Sequence, residues 1–145
     1  MSEKFIITED MKPISVGLLG AGTVGSGTYA VLKRNQEEII RRAGRSIVIR
    51  MIADREEEKA RRIAGDDDVI VTRDANGVVM NPDIDIVVEL IGGHTVAKDL
   101  ILKAIENGKH VITANKALLA SHGTEIFAAA QKKGVMVAFE AAVAG

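Results

Sequence analysis

Apolar positions along this chain cluster into short runs of strand length, separated by stretches of helical period, the alternation expected of a parallel sheet with crossover helices. Strands are predicted at 14–19, 47–53, 69–72, 85–91, 109–114 and 135–139. The fourth and fifth are near-continuous Ile and Val, as in central strands covered on both faces. A helix is predicted from Thr23 to Arg42, with Val24, Val31, Leu32, Ile39 and Ile40 on one side and Gly44 closing it. Another contains Glu57 to Arg62. Ala97, Leu100, Ile101, Ala104 and Ile105 repeat at i, i+3, i+4, i+7 and i+8, the clearest helical pattern present, and Gly108 ends it. A last helix, from Thr124 to Lys133, is expected to bury Ile126, Phe127 and Ala130 and to stop at Gly134. The predicted fold class is α/β, a doubly wound, mainly parallel sheet with helices on both faces. Residues 1–13 read as a flexible leader and 14–145 as one domain.

Composition narrows the function classes. With 145 residues, 47% of them hydrophobic, the chain suits one domain with a real core. Nineteen Lys and Arg against twenty Asp and Glu give a net charge of -1 with no basic stripe, so a nucleic-acid partner is not indicated and a small-molecule ligand is favoured. The absence of cysteine excludes disulfides, thiolate metal sites and a cysteine nucleophile within these residues. No apolar run approaches the roughly 18 residues of a membrane helix, and the acidic start of the chain does not resemble a signal peptide. A cytoplasmic protein with no membrane association is expected.

Chemistry concentrates where predicted strands end. Gly20-Ala21-Gly22-Thr23-Val24-Gly25 has Gly-x-Gly-x-x-Gly spacing between the first strand and the first helix, the Rossmann context for cradling a pyrophosphate. Gly20 permits the tight turn, Gly22 the close approach of backbone to phosphate, and Gly25 the packing of helix on sheet. Amides of the first helical turn and the positive end of the helix dipole would face the phosphates. The same glycines in a turn that only packs would be the ordinary alternative.

In such a sheet ligands sit at the carboxyl ends of the strands. Asp54-Arg55 ends the second strand, further from the glycines than the usual spacing of about 20. An acid there accepts hydrogen bonds from ribose hydroxyls, whereas an arginine favours a 2′-phosphate, so NAD and NADP both stay open. A plain surface Asp-Arg pair is the competing reading. Ile91, Gly92 and Gly93 follow the fourth strand, where backbone can approach a nicotinamide ring. Glu89, inside that apolar strand, calls for a hydrogen-bonding partner. The fourth loop is Thr113-Ala114-Asn115-Lys116, in which Thr113 and Lys116 are candidate cofactor contacts. Lys116, the candidate catalytic residue, would hydrogen-bond a substrate carbonyl beside the nicotinamide as hydride arrives. His94, His110 and His122 lack metal spacing, and Asp66-Asp67-Asp68 reads as a solvated turn. Glu140, followed by small residues, begins a turn whose carbonyls would suit a hard cation.

The glycine turn, together with Val88-Glu89-Leu90-Ile91-Gly92-Gly93, Lys109-His110-Val111-Ile112-Thr113-Ala114-Asn115-Lys116-Ala117-Leu118-Leu119-Ala120 and Phe139-Glu140-Ala141-Ala142-Val143-Ala144-Gly145, resembles homoserine dehydrogenase. The likeness runs from Ile14 onward. It implies an NAD(P)-dependent oxidoreductase of threonine, methionine and isoleucine biosynthesis that interconverts aspartate 4-semialdehyde and homoserine and works as a homo-oligomer, a dimer. It implies cofactor contacts from Ala21, Thr23 and Val24, a catalytic Lys116, and a monovalent cation site, sodium, at Glu140, Val143 and Gly145. His94-Thr95-Val96 departs from members that carry proline shortly after the Gly-Gly pair. Because members continue into a dimerisation region and a substrate domain, the expectation is an isolated cofactor domain that binds dinucleotide without turnover. The competing expectations are another Rossmann oxidoreductase of small amino or hydroxy acids, and a nucleotide-sensing module without chemistry.

Overall fold

The strands β1 (Ile14–Leu19), β2 (Ile47–Ala53), β3 (Ile70–Thr72), β4 (Ile86–Glu89), β5 (His110–Thr113) and β6 (Val137–Phe139) form one sheet in the order β3-β2-β1-β4-β5-β6. Every neighbouring pair is parallel. In this computed structural model, residues 12–21, 27–30, 44–91 and 95–139 are described. Among them the helices are α1 (Glu57–Ala64), α2 (Ala75–Val79), α3 (Thr95–Glu106) and α4 (Lys116–Lys133), and residues 27–30 are also helical. Most of the predicted first helix lies outside the described residues.

The Ile and Val runs form strands because alternate side chains enter two different cores. Leu19, Met51, Ala53, Val87 and Val111 pack with α2, α3 and α4 on one face. Val16, Leu18, Ile52 and Val88 pack with Tyr29 and with Ala60 and Ala64 of α1 on the other. All five predicted core positions of α3 are buried. The doubly wound, all-parallel architecture is therefore the one the apolar pattern predicts.

Two expectations are corrected in α4. It begins at Lys116, well before Thr124, because Asn115 caps it, the side-chain oxygen accepting a hydrogen bond from the Leu118 amide at 3.0 Å. The helix runs on through Ser121-His122-Gly123 with Gly123 buried. Phe127 is not in the core but 46% exposed, while Ile126 and Ala130 are buried as predicted. The short α2 falls in a stretch for which no element is predicted. Asp74 caps it by accepting from the Asn76 amide at 3.0 Å.

Register also orders the sheet's edge. Thr72 pairs with Ala53, Ala53 with Leu19, Leu19 with Glu89, Glu89 with Thr113 and Thr113 with Phe139. All six strands thus end on one transverse row, and the described residues just beyond the first five form a rim.

Candidate functional site

The rim brings together Gly20 after β1, Asp54-Arg55 after β2, Arg73 after β3, Leu90-Ile91 after β4 and the Ala114-Asn115-Lys116 segment after β5. β1 is the strand from which connections diverge to either side, with β2 and β4 as its neighbours. That crevice is where an open α/β sheet receives its ligand.

At its floor, Gly20 has φ +102°, and its amide donates to the Ala53 carbonyl at 2.8 Å. A Cβ on Gly20 would stand 3.2 Å from the Leu90 carbonyl carbon and 3.3 Å from its oxygen. The turn therefore lies directly on the backbone leaving β4, as a close phosphate cradle requires. The Ala21 amide donates to Asp54 Oδ2 at 2.8 Å, tying the glycine turn to the end of β2. The other oxygen, Oδ1, accepts from the Glu56 amide at 2.8 Å. Asp54 is half-buried, and each of its oxygens, accepting one hydrogen bond, keeps a further lone pair. Gly22, Thr23, Val24 and Gly25 lie outside the described residues, as do Gly92, Gly93 and His94.

Beside Asp54, an open cleft of about 610 Å³ is lined by Arg55, Lys59, Arg62 and Arg73 together with Glu56, Glu57 and Glu58. Lys59 pairs with Glu56 at 2.6 Å, and hydrogen bonding to that carboxylate raises its pKa. Arg55, Arg62 and Arg73 line the cleft without an ion pair to any described residue, alongside the three glutamates.

On the other side of the crevice, Glu89 is completely buried. Its Oε2 accepts from the Ile91 amide at 2.8 Å and its Oε1 from the Thr113 hydroxyl at 2.7 Å. The Thr113 oxygen in turn accepts from the Asn115 amide at 3.0 Å. The partner that burial of a carboxylate demands is therefore present, on the neighbouring strand. Thr113, a candidate cofactor contact, is itself fully buried, with its hydroxyl engaged by Glu89 and by the Asn115 amide. Ile91 is 43% exposed on the rim. Lys116 is exposed as the first helical residue of α4, where a loop was expected. Its ammonium has no partner among the described residues.

Elsewhere, His110 accepts from the Met136 amide at 3.0 Å through Nδ1, and His122 lies 4.0 Å from Glu125, both ordinary structural roles. Asp67 is not purely solvated, because the Tyr29 hydroxyl donates to it, and burial together with that bond drives the phenol pKa upward. No metal-holding cluster occurs among the described residues, and Glu140, Val143 and Gly145 are not among them. No described helix is long and apolar enough to cross a membrane. Lys109 escaped sequence reasoning. It is buried, and its Nζ donates to the carbonyls of Asn81 at 2.6 Å and Ile84 at 2.8 Å, at the amino edge of the sheet opposite the crevice.

This geometry matches a known family. The family model for the NAD-binding domain of homoserine dehydrogenase matches residues 20–140. The chain belongs to that family. Homoserine dehydrogenase of Pseudomonas aeruginosa is 60% identical over 135 residues, covering 93% of this chain and 30% of that protein. The Bacillus subtilis enzyme is 39% identical over 135 residues, 93% of this chain and 31% of its own length. Among solved structures, homoserine dehydrogenase from Thiobacillus denitrificans superposes with a TM-score of 0.85 at 61% identity, covering 91% of this chain and 30% of that one. The chain thus spans about 30% of the length of the relatives it matches. NAD or NADP is the coenzyme class of this family's domain, in agreement with the glycine turn.

Proposed function

We propose that this chain holds NAD(P) in the crevice between β1 and β4, for hydride transfer between NAD(P)H and aspartate 4-semialdehyde giving homoserine. The observation that carries this reading is the common row of strand ends, which sets the Gly20 turn, the braced Asp54 and Lys116 on one rim. Phosphate contacts fall to amides following Ala21, whose own N–H is directed at Asp54, hence to Gly22, Thr23, Val24 and Gly25. Asp54 receives the ribose hydroxyls, and Arg55 with Arg73 receives a 2′-phosphate where one is present. Ile91, Gly92 and Gly93 border the nicotinamide, which supplies the hydride when bound. Lys116 hydrogen-bonds the substrate carbonyl and stabilises the oxygen as charge develops on it.

The rest of the reading rests on the family likeness: a sodium site at Glu140, Val143 and Gly145, a dimer, a cytoplasmic setting, and residues 14–145 as the cofactor-binding domain behind a leader of residues 1–13. Separate fluorescence titrations with NADH and NADPH test it. Saturable binding of at least one coenzyme is expected, with the tighter one showing whether Asp54 or the arginines dominate. A chain that binds neither would overturn the proposal.

A further inference from the structure

Glu89 is the most deeply buried charged group in the described structure, and no step of the proposed chemistry uses it. Its two oxygens nonetheless reach both segments that flank the reacting end of the crevice. Oε2 holds the amide of Ile91, two residues along its own strand exit, at 2.8 Å. Oε1 holds the hydroxyl of Thr113, its register partner across the β4–β5 ladder, at 2.7 Å. The hydroxyl has one proton, and that proton is given to Glu89. Its oxygen is therefore left to accept from the Asn115 amide at 3.0 Å. Asn115 in turn caps the helix that Lys116 begins, through its side chain at 3.0 Å from the Leu118 amide. The donors run in one direction, from helix cap to hydroxyl to carboxylate.

We infer that Glu89 is a positioning residue, a buried acceptor that fixes the Ile91 backbone and, through Thr113 and Asn115, the start of α4 with Lys116, so that both walls of the nicotinamide end keep one geometry. This rests on the dinucleotide reading above. A carboxylate suits this place because the Ile91 amide and the Thr113 hydroxyl each donate to a different oxygen of it. In Glu89→Gln the amide has only one oxygen, so whichever way it sits, either the Ile91 N–H or the Thr113 hydroxyl proton loses its acceptor.

The test compares NADH with ADP-ribose, which lacks the nicotinamide, by calorimetry on this chain. Glu89→Gln should weaken NADH binding by about tenfold or more, the loss of one charge-assisted hydrogen bond's worth of order, while ADP-ribose binding stays within about twofold. Thr113→Val, which removes the hydroxyl, should reproduce the split. Thr113→Ser, which keeps it, should recover most of the loss. In Glu89→Gln, amide hydrogen exchange should also quicken at Asn115 and Leu118, not only at Ile91. Equal weakening of both ligands would show general damage to the fold and overturn the inference. Unchanged NADH binding, or exchange that changes at Ile91 alone, would overturn it as well. A wild-type chain that binds ADP-ribose and NADH equally well also refutes it, because the nicotinamide end then contributes nothing. Wild-type failure to bind either ligand would instead refute the dinucleotide reading itself.

Discussion

Gly20→Ala tests whether the exit of β1 and the exit of β4 form one surface. Two terms set its size. The backbone at φ +102° is open to glycine and strained for any residue with a Cβ, at about 1–3 kcal/mol. The new methyl would also lie 3.2 Å from the Leu90 carbonyl carbon, 3.3 Å from its oxygen and 3.4 Å from the Ile91 nitrogen. Those are backbone atoms held by further hydrogen bonds. The Leu90 amide donates to the Leu19 carbonyl at 2.8 Å and the Ile91 amide to Glu89 at 2.8 Å, so they do not give way as a side-chain tip would. The expected outcome is a Tm lowered by about 3–10 °C for a domain of this size. Coenzyme affinity, measured at a temperature where the variant remains folded, should fall by about tenfold or more, because the displaced backbone lines the crevice. Differential scanning fluorimetry and NADH titration read the two effects. A variant with wild-type Tm and wild-type affinity would refute the argument that these two strand exits meet at the binding floor.

Gly17→Ala should destabilise through the core without touching the rim. Its Cβ would fall 2.4 Å from Val78 Cγ1, on a fully buried β-branched side chain with little freedom to turn away, so an overpacking cost of about 1–3 kcal/mol is expected in urea unfolding. Lys109 should give a pH dependence of defined sign. Burial lowers its pKa from the ordinary 10.5, Asp85 and Asp83 opposing in part, so the unfolded chain holds the proton more tightly than the folded one. Its charge therefore costs stability below the folded pKa, and stability is regained as pH rises from there toward 10.5, where the neutral amine still has two protons for its two carbonyls. The urea stability of the wild type, minus that of Lys109→Met, should rise between about pH 7 and pH 10, and a difference that falls would show the sign to be wrong.

The strands were legible because their signal is additive over several residues. β1 and β2 have the predicted bounds, and the others differ by up to two residues at either end; buried apolar runs leave the central strands little choice of structure, whereas the edge strands β3 and β6 are only half-buried or exposed. α3 was legible for the same reason, with five apolar positions on one face. The start of α4 was not, because a single hydrogen bond from the Leu118 amide to Asn115 sets it, and one polar side chain carries no periodicity. Placing Lys116 on a helix instead of in a loop changes its chemistry, since its Cα is then fixed by a capped backbone and only the side chain remains free to reach a substrate.

The same contrast separates the two halves of the site. Glycine spacing announces the proposed phosphate end, because glycine best meets the positive φ and close approach that Gly20 shows there. The proposed nicotinamide end depends on contacts between residues far apart in sequence. Glu89 and Thr113 become neighbours only through the β4–β5 register, and Asp54 reaches the Ala21 amide only because β1 and β2 end on the same row. A shift of one residue in either register would move these side chains to the opposite face of the sheet. Register is in turn set by the two hydrophobic cores, whose side chains alternate along β1 and β4 and, past the register shift between Val16 and Gly17, along Met51, Ile52 and Ala53 of β2. The apolar pattern that predicts the fold therefore also aligns the polar rim, and the chemistry of the rim is only as well placed as that packing makes it.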